Sequence, residues 1–260
     1  MFRSARSQQG FSLVELMIAV LLGSLITIAA VQLFSTSQRT FQLQQGLIDV
    51  QEQGRFALDF MARDLRMMGL RLDQSDEVGI ELSDTTVGAV VFPASADGGD
   101  SGAGNDRLTF SFRGRTIDTD CEGVSPAADG TLIINTYWVD DDGSLWCRGN
   151  LDVTGGGLEL VSGVDTFQVL YGIDTAEDGV PFAARYVTAS TLTGDEQIVA
   201  VRVGLLVRAQ QGNVASMGDA QTMVVLDREL TGGEAPLDEQ ALRRLFVTTV
   251  RARNYVWEEI

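Results

Sequence analysis

The longest apolar stretch of the chain lies near its amino terminus. Residues 16–31 are apolar except for three small residues, and the residues from Phe11 to Val14 extend the stretch. A helix of about twenty such residues spans the hydrocarbon core of a bilayer. The pattern therefore predicts a membrane-spanning helix, with one carboxylate, Glu15, close to its start.

A second pattern follows this stretch. Apolar residues recur at steps of three and four, which is typical of an amphipathic helix: Leu47, Val50, Gly54, Ala57, Met61, Leu65, Met68 and Leu72. Arg55, Asp59 and Arg63 occupy another face at a spacing that allows ion pairs. We predict one helix from about Phe11 to about Leu72, whose second half packs on a globular head.

Two features of this helix leave alternatives open. Phe34, Phe41 and Ile48 lie a heptad apart, so a free coiled coil is the alternative to packing on a head. Gly46 and Gly54 lie inside the helix and indicate either a close helix approach or a flexible point in a filament, and simple tolerance of glycine is the alternative to both.

Beyond Leu72 the pattern changes to short β-branched and aromatic runs separated by clusters of Gly and Asp. These runs are TLIINTYWV, SLWCR, FQVLYGI, IVAVRVGLLV and LFVTTV. They predict a mainly antiparallel sheet packed on the helix, an α+β fold. DDDG at 140–143 indicates a hairpin turn between two strands. A calcium loop is its alternative, although Leu151 stands where a bidentate Glu is expected.

The amino-acid composition excludes several kinds of catalytic and binding site. The 260 residues carry a formal net charge of −17, and all nineteen basic residues are Arg, with no Lys or His. Histidine-dependent triads, imidazole zinc sites, phosphate-binding lysines and Schiff bases are therefore excluded. We predict no catalytic residues, no metal site and no cofactor, and the acidity disfavours nucleic-acid binding.

The residues around the apolar stretch suggest its orientation and processing. Arg3 and Arg6 precede it without any acid, which places the amino terminus in the cytoplasm and the head outside the inner membrane. Cleavage after Gly10 would leave an α-ammonium on Phe11, and Glu15 could pair with that ammonium in a neighbouring copy. The alternative is an uncleaved anchor with Glu15 at the membrane interface.

Two cysteines, Cys121 and Cys147, fall in the head. The compartment outside the inner membrane is oxidising, so we expect a disulfide between them. A bridge over such a loop stabilises a fold by roughly 3 to 4 kcal/mol in the chain-entropy view. Two free buried thiols are the alternative.

The stretch GFSLVELMIAV resembles the class III signal of type IV pilins and pseudopilins, with Gly10, Phe11 and Glu15 at the family's key positions. The stretches at 51–71, 161–174, 198–208 and 242–254 resemble the PilW family of minor pilins. Residues 73–157 show this resemblance only weakly.

The resemblance implies the pilin fold and a division of the chain. Residues 1–10 would be a leader removed by prepilin peptidase, which also methylates the new terminus. Residues 11–36 would form the hydrophobic assembly helix, and 37–260 the amphipathic helix with a periplasmic β-rich head.

The function implied is that of a minor pilin that primes or caps a type IV pilus near its tip, supporting twitching motility, adhesion or DNA uptake. Its partners would be prepilin peptidase, other minor pilins, the major pilin and the inner membrane before assembly, with a tip adhesin as a further candidate. Three alternatives remain. They are a pseudopilin of a type II secretion system, a DNA-capturing pilin that uses Arg243, Arg244, Arg251 and Arg253, and an anchored enzyme, which no residue constellation supports.

Overall fold

One long helix begins the structure. The computed structural model describes residues 11–73, 78–98, 104–176, 180–210, 222–231 and 241–254, and helix α1 runs without a break from Leu13 to Leu65. The chain divides into two compact units, Met1–Gln45 and Gly46–Ile260. In the first unit every side chain from residue 11 to residue 42 is exposed.

The predicted stripe is the buried face of α1 in the second unit. Buried residues of α1 recur at helical spacing: Gly46, Val50, Gly54, Ala57, Leu58, Met61, Ala62 and Leu65. Leu47, which the pattern assigned to this face, is exposed. On the opposite face Arg55 and Asp59 lie 3.5 Å apart and form the expected i,i+4 pair.

The helix ends earlier than the periodicity predicts, so the expected end near Leu72 is wrong. After Leu65 the chain makes turns, and Gly69 adopts a φ of +73°, which glycine accepts without strain. The backbone N–H of Gly69 donates to Ser111 O, and Leu70 O accepts from Arg113 N. These bonds redirect the chain along a strand edge, which leaves Met68 buried but Leu72 exposed.

Twelve strands follow α1 in the described residues. They are β1 Thr85–Val87, β2 Val90–Phe92, β3 Leu108–Gly114, β4 Thr131–Val139, β5 Leu145–Gly149, β6 Leu158–Val161, β7 Val164–Asp174, β8 Arg185–Val187, β9 Gln197–Arg208, β10 Thr222–Val225, β11 Arg228–Thr231 and β12 Arg243–Arg251. A 3₁₀ turn at Ala189–Thr191 separates β8 from β9.

The strands form two four-stranded sheets and two hairpins, and every pairing is antiparallel. Sheet I has the order β3-β4-β5-β6, and sheet II has the order β12-β9-β7-β8. The hairpins are β1-β2 and β10-β11. The predicted α+β class with a mainly antiparallel head is confirmed, and the five predicted runs lie in β4, β5, β7, β9 and β12.

One core joins α1 to both sheets. The buried face of α1 packs with large side chains from sheet I, among them Phe110 and Tyr137, whose rings stack 6.2 Å apart. Phe167 of β7 and alternate residues of β9 supply the sheet II side of the same core. The β10-β11 hairpin covers the opposite face of sheet II, where Leu206 packs with Val225 and Leu230.

Gly54 marks a close approach, but the element that approaches is a strand and not the helix that was expected. A Cβ at this position would lie 2.3 Å from Cε2 of Phe246, which belongs to β12. A contact this short is impossible without a shift of the ring, so glycine lets the edge strand of sheet II pack directly on the helix.

Candidate functional site

The first unit of the structure presents an apolar helical segment. Within α1, a window of 18 residues has a mean hydropathy of 2.4, so this helix is long and apolar enough to cross a membrane by length and composition. Its polar side chains are satisfied locally: Ser24 Oγ donates to Leu21 O at 2.8 Å, and Thr27 Oγ1 donates to Gly23 O at 2.8 Å. Such bonds reduce the cost of hydroxyl groups in hydrocarbon.

The predicted processing residues lie at the start of this segment. Gly10 is outside the described residues, whereas Phe11 is 86% exposed. Glu15 lies in the first turn of α1, where the positive end of the helix dipole favours a carboxylate. Its side chain is exposed, so it is available to a neighbouring molecule. The roles predicted for these three residues stay predictions.

At the other end of α1 a half-buried carboxylate ties the helix to sheet I. Asp64 Oδ2 accepts a hydrogen bond from Asn135 Nδ2 at 2.8 Å and another from the Tyr137 hydroxyl. Burial raises the pKa of Asp64 from 3.8 to about 6, and the bonds from Tyr137 and Asn135 oppose that rise. Burial and the adjacent Asp64 also raise the pKa of Tyr137 well above its usual value. Nothing in the sequence pattern indicated this anchor.

The disulfide belongs to the same region. Cys121 and Cys147 are joined, with their Cα atoms 6.3 Å apart, and both are buried. The backbone N–H of Cys121 donates to Asn135 Oδ1 at 3.1 Å. Asn135 therefore links the bridge to Asp64, so that the end of α1, strand β4 and the disulfide loop form one connected network.

Two further carboxylates shape the disulfide loop. Asp120 accepts from the backbone N–H groups of Val124 and Leu151, and Glu122 Oε2 accepts from Gly149 N at 2.8 Å. Burial raises the pKa of both carboxyls. Because their oxygens receive backbone donors, they act as loop-fixing acceptors in this structure.

Another buried acid, Asp106, which the sequence pattern also did not indicate, closes an edge of sheet II. Asp106 Oδ1 accepts from Gly98 N and Oδ2 accepts from Val169 N, each at 2.7 Å. Burial raises the pKa of Asp106 from 3.8 to about 7, with Asp227 and Asp97 adding to the rise. Asp106 N also donates to Phe167 O, so this residue pairs with β7 where β8 does not reach.

The arginines near the carboxy terminus divide into two kinds. Arg243 Nε lies 2.6 Å from Asp165 Oδ2 in a buried pair, and Arg208 Nε lies 3.4 Å from Asp165 Oδ1. Arg244 and Arg251 are exposed on β12. Nothing in the sequence indicates Asp165 as the partner of Arg243.

The acids at 140–143 form the predicted hairpin turn. Asp140 Oδ1 accepts from Ser144 N at 2.8 Å, and Oδ2 accepts from Trp146 Nε1 at 2.6 Å. Gly143 supplies a φ of +77°. Within the described ranges no group of three or more His, Cys, Asp or Glu is placed to hold a metal ion.

Comparison with known proteins adds two family matches. The model for type IV pilus-assembly protein W matches residues 136–254, and the model for the prokaryotic N-terminal methylation motif matches residues 5–31. They confirm the resemblance that the sequence predicted. A solved type IV-like pilin from Thermus thermophilus is similar over 79% of this chain and 97% of its own, with 16% identity and a TM-score of 0.45. The search of curated proteins gives no match.

Proposed function

We propose that this chain is a minor pilin that primes or caps a pilus near its tip. The premise is its similarity to type IV pilins, with a PilW-type region and a methylation motif. The observation that carries the proposal is the division of α1. The part of α1 before Gly46 is largely exposed and apolar, and it overlaps the match to the methylation motif. From Gly46 onwards, one face of α1 is buried in the core of the head. A subunit that leaves a membrane for a helical bundle needs both parts.

Each part of the chain has a distinct role and location in this function. Residues 1–10 are the leader that prepilin peptidase removes, 11–36 are the span and assembly helix, and 37–260 carry the head. The amino terminus faces the cytoplasm and the head faces the periplasm until assembly moves the subunit to the cell surface. Its role is structural, in contact with other minor pilins and the major pilin.

Processing is tested at the leader junction. The mature chain should begin with N-methylated Phe11, and Gly10→Val should block cleavage because the peptidase needs the small residue before the cut. Mass spectrometry of the amino terminus in cells with and without the peptidase measures this. An intact Met1 in peptidase-positive cells would contradict the proposal.

Assembly is tested at Glu15. Glu15→Ala should still be inserted and cleaved, but its level in sheared filaments should fall about tenfold or more, because an unpaired α-ammonium in apolar surroundings costs a few kcal/mol. Glu15→Asp is the matched control, since it keeps the charge and should retain part of the incorporation. Normal incorporation of the Ala variant would refute the pairing of Glu15 with a neighbouring terminus.

The tip position follows from size and charge. The unit from Gly46 to Ile260 is large, and the chain carries a net charge of −17, which opposes close stacking of identical heads within about 8 to 10 Å. We therefore expect a rare subunit near the tip, whose head contacts the heads of different minor pilins and not copies of itself. Quantitative proteomics of purified filaments tests this, and an abundance close to that of the major pilin would overturn it.

A further inference from the structure

The edge strands of the two sheets differ in length and in how far other segments hydrogen-bond to their outer backbone groups. Along the outer edge of β3, residues 78–81 supply hydrogen bonds: Ser111 N donates to Gly79 O at 2.7 Å, and Glu81 N donates to Thr109 O at 2.9 Å. Along β7, Asp106 and Asn105 pair with the backbone of Phe167 beyond the end of β8. The outer strands β6 and β8 are only four and three residues long.

Strand β12 is the long exception. It has nine residues, contains no Pro, and pairs with β9 without a register shift. Proteins commonly protect an edge strand by shortening it, bulging it, placing Pro in it or covering it. Within the described residues, no element pairs with the side of β12 that faces away from β9.

The register identifies the groups on that open side. Ala209 N donates to Leu242 O and Ala252 N donates to Val199 O, just before and just after β12. Hydrogen-bonded and non-hydrogen-bonded pairs alternate in an antiparallel ladder, so the even-numbered residues of β12 direct their backbone groups towards β9. The backbone N–H and C=O groups of Leu245, Val247, Thr249 and Arg251 therefore point away from the sheet.

The side chains along this edge indicate what would cover it. Leu245 and Val247 remain 37% and 47% exposed although they are large and apolar. Exposed Arg244 lies near one end, and exposed Arg251 and Arg253 lie at the other. These arginines make the edge locally basic, so it attracts acidic protein segments although the chain as a whole carries a net charge of −17.

A second copy of this strand is a poor occupant. Antiparallel pairing of two β12 strands about Val247 would bring the exposed Arg244 and Arg251 of the two copies close together, and Arg251 would lie opposite Arg243, whose charge Asp165 already compensates. Like charges facing each other across a ladder are destabilising. The edge thus favours an acidic partner that differs from itself.

We propose that β12 is an acceptor strand, to which an extended acidic segment of a different pilin-like subunit adds as a further strand of sheet II. Main-chain bonds to the outward amides would provide affinity, and apolar side chains of the segment would cover Leu245 and Val247. The choice of a pilin-like subunit as the source rests on the proposed function above.

Site-specific photo-crosslinking in piliated cells tests this on the full-length chain. A photo-reactive phenylalanine analogue at Leu245 should give one discrete adduct with a different pilin-like subunit, and the crosslinked peptide should contain Asp or Glu. Val224 is the matched control position, because it is an apolar strand residue that is 55% exposed but lies on β10. The analogue at that position should not give the same adduct.

Substitutions then test the backbone mechanism. Val247→Pro removes an outward N–H without removing a bond to β9 and should lower the adduct yield about tenfold, whereas Val247→Thr keeps the N–H and should preserve the yield. If the Pro variant does not accumulate, the double variant Arg244→Glu with Arg251→Glu tests the same edge, because reversing these charges should lower the adduct yield. Its control is Arg185→Glu, at an exposed arginine of β8.

The outcomes separate this inference from the proposed function. No adduct, an adduct with an identical copy, or a yield unchanged by both the Pro substitution and the charge reversal would overturn the acceptor strand. If the chain is still found in sheared filaments, the proposed function survives that result. An adduct with the expected dependence, in a chain that never enters filaments, would support the acceptor strand and reject the pilus role.

Discussion

The carboxylate that anchors α1 to sheet I should make the head more stable in acid than at neutral pH. Asp64 is held by Asn135 and Tyr137, and its pKa in the folded state is about 6 against 3.8 for an ordinary aspartate. Burial causes the rise because it penalises the charged form. The substitution Asp64→Asn removes this titration while keeping a carbonyl oxygen as acceptor.

The sign and the size of the effect of Asp64 on the free energy of unfolding follow from proton linkage. Below pH 3.8 the carboxyl is protonated in both states, and its contribution to stability is fully present. As the pH rises through about 6 the folded state must lose a proton that the unfolded state has already lost, so that contribution disappears. The difference between 3.8 and about 6 corresponds to about 3 kcal/mol.

The assay compares unfolding by denaturant at several pH values between 4 and 7.5. A head fragment that begins near Ser37 is suitable, and Trp138 and Trp146 report on unfolding of sheet I. The loss of stability over this range should be smaller by about 2 to 3 kcal/mol in Asp64→Asn than in wild type, because the unfolded carboxyl is already partly ionised at pH 4. Asp59→Asn, at an exposed position of the same helix, should keep the wild-type slope. An unchanged slope in Asp64→Asn would refute the reasoning.

Two further predictions concern packing and covalent structure. Gly54→Ala should destabilise the head by about 1 to 3 kcal/mol because the added Cβ overlaps the Phe246 ring, and Phe246→Leu should restore much of the loss in the double variant; additivity of the two costs would contradict the contact. Protein from the periplasm should expose no alkylatable thiol until it is reduced, and reduction of Cys121–Cys147 should cost roughly 3 to 4 kcal/mol, measured by mass spectrometry and by unfolding; two thiols alkylated without reductant would contradict the bridge.

The sequence predicted elements whose signals are local. The run TLIINTYWV coincides with β4, because alternation and β-branched residues suit a pleated, buried position wherever the strand lies. The stripe on α1 was equally clear, since a helix buries a face that repeats every 3.6 residues. Its end was misjudged because Met68 is buried from a turn, and periodicity cannot distinguish a buried turn from another helical step.

The sequence could not predict contacts between residues that are distant along the chain. Asp106 bonds to Val169, and Asp165 pairs with Arg243, although nothing near either acid marks it as buried. Aspartates in Gly-rich surroundings are usually turn residues. Only the fold shows that Asp106 replaces a missing strand beside β7. Asp64 was hidden for a similar reason, because helical spacing places it beside the buried face without naming its acceptor role.

The internal use of these acids bears on how the subunit could choose its partners. Asp64, Asp106, Asp140 and Asp165 each receive hydrogen bonds or ion pairs from within the head, so these carboxyl groups are engaged inside the fold. Other acids, such as Asp141, Asp142 and Asp152, are exposed to solvent, and the net charge of −17 repels other copies of the same chain at short range. A basic edge such as β12 then acts against that background, since it attracts an acidic segment while the rest of the surface resists self-association. Selection of a different subunit would follow from repulsion between like heads together with attraction at one strand, as specificity by unfavourable alternatives requires.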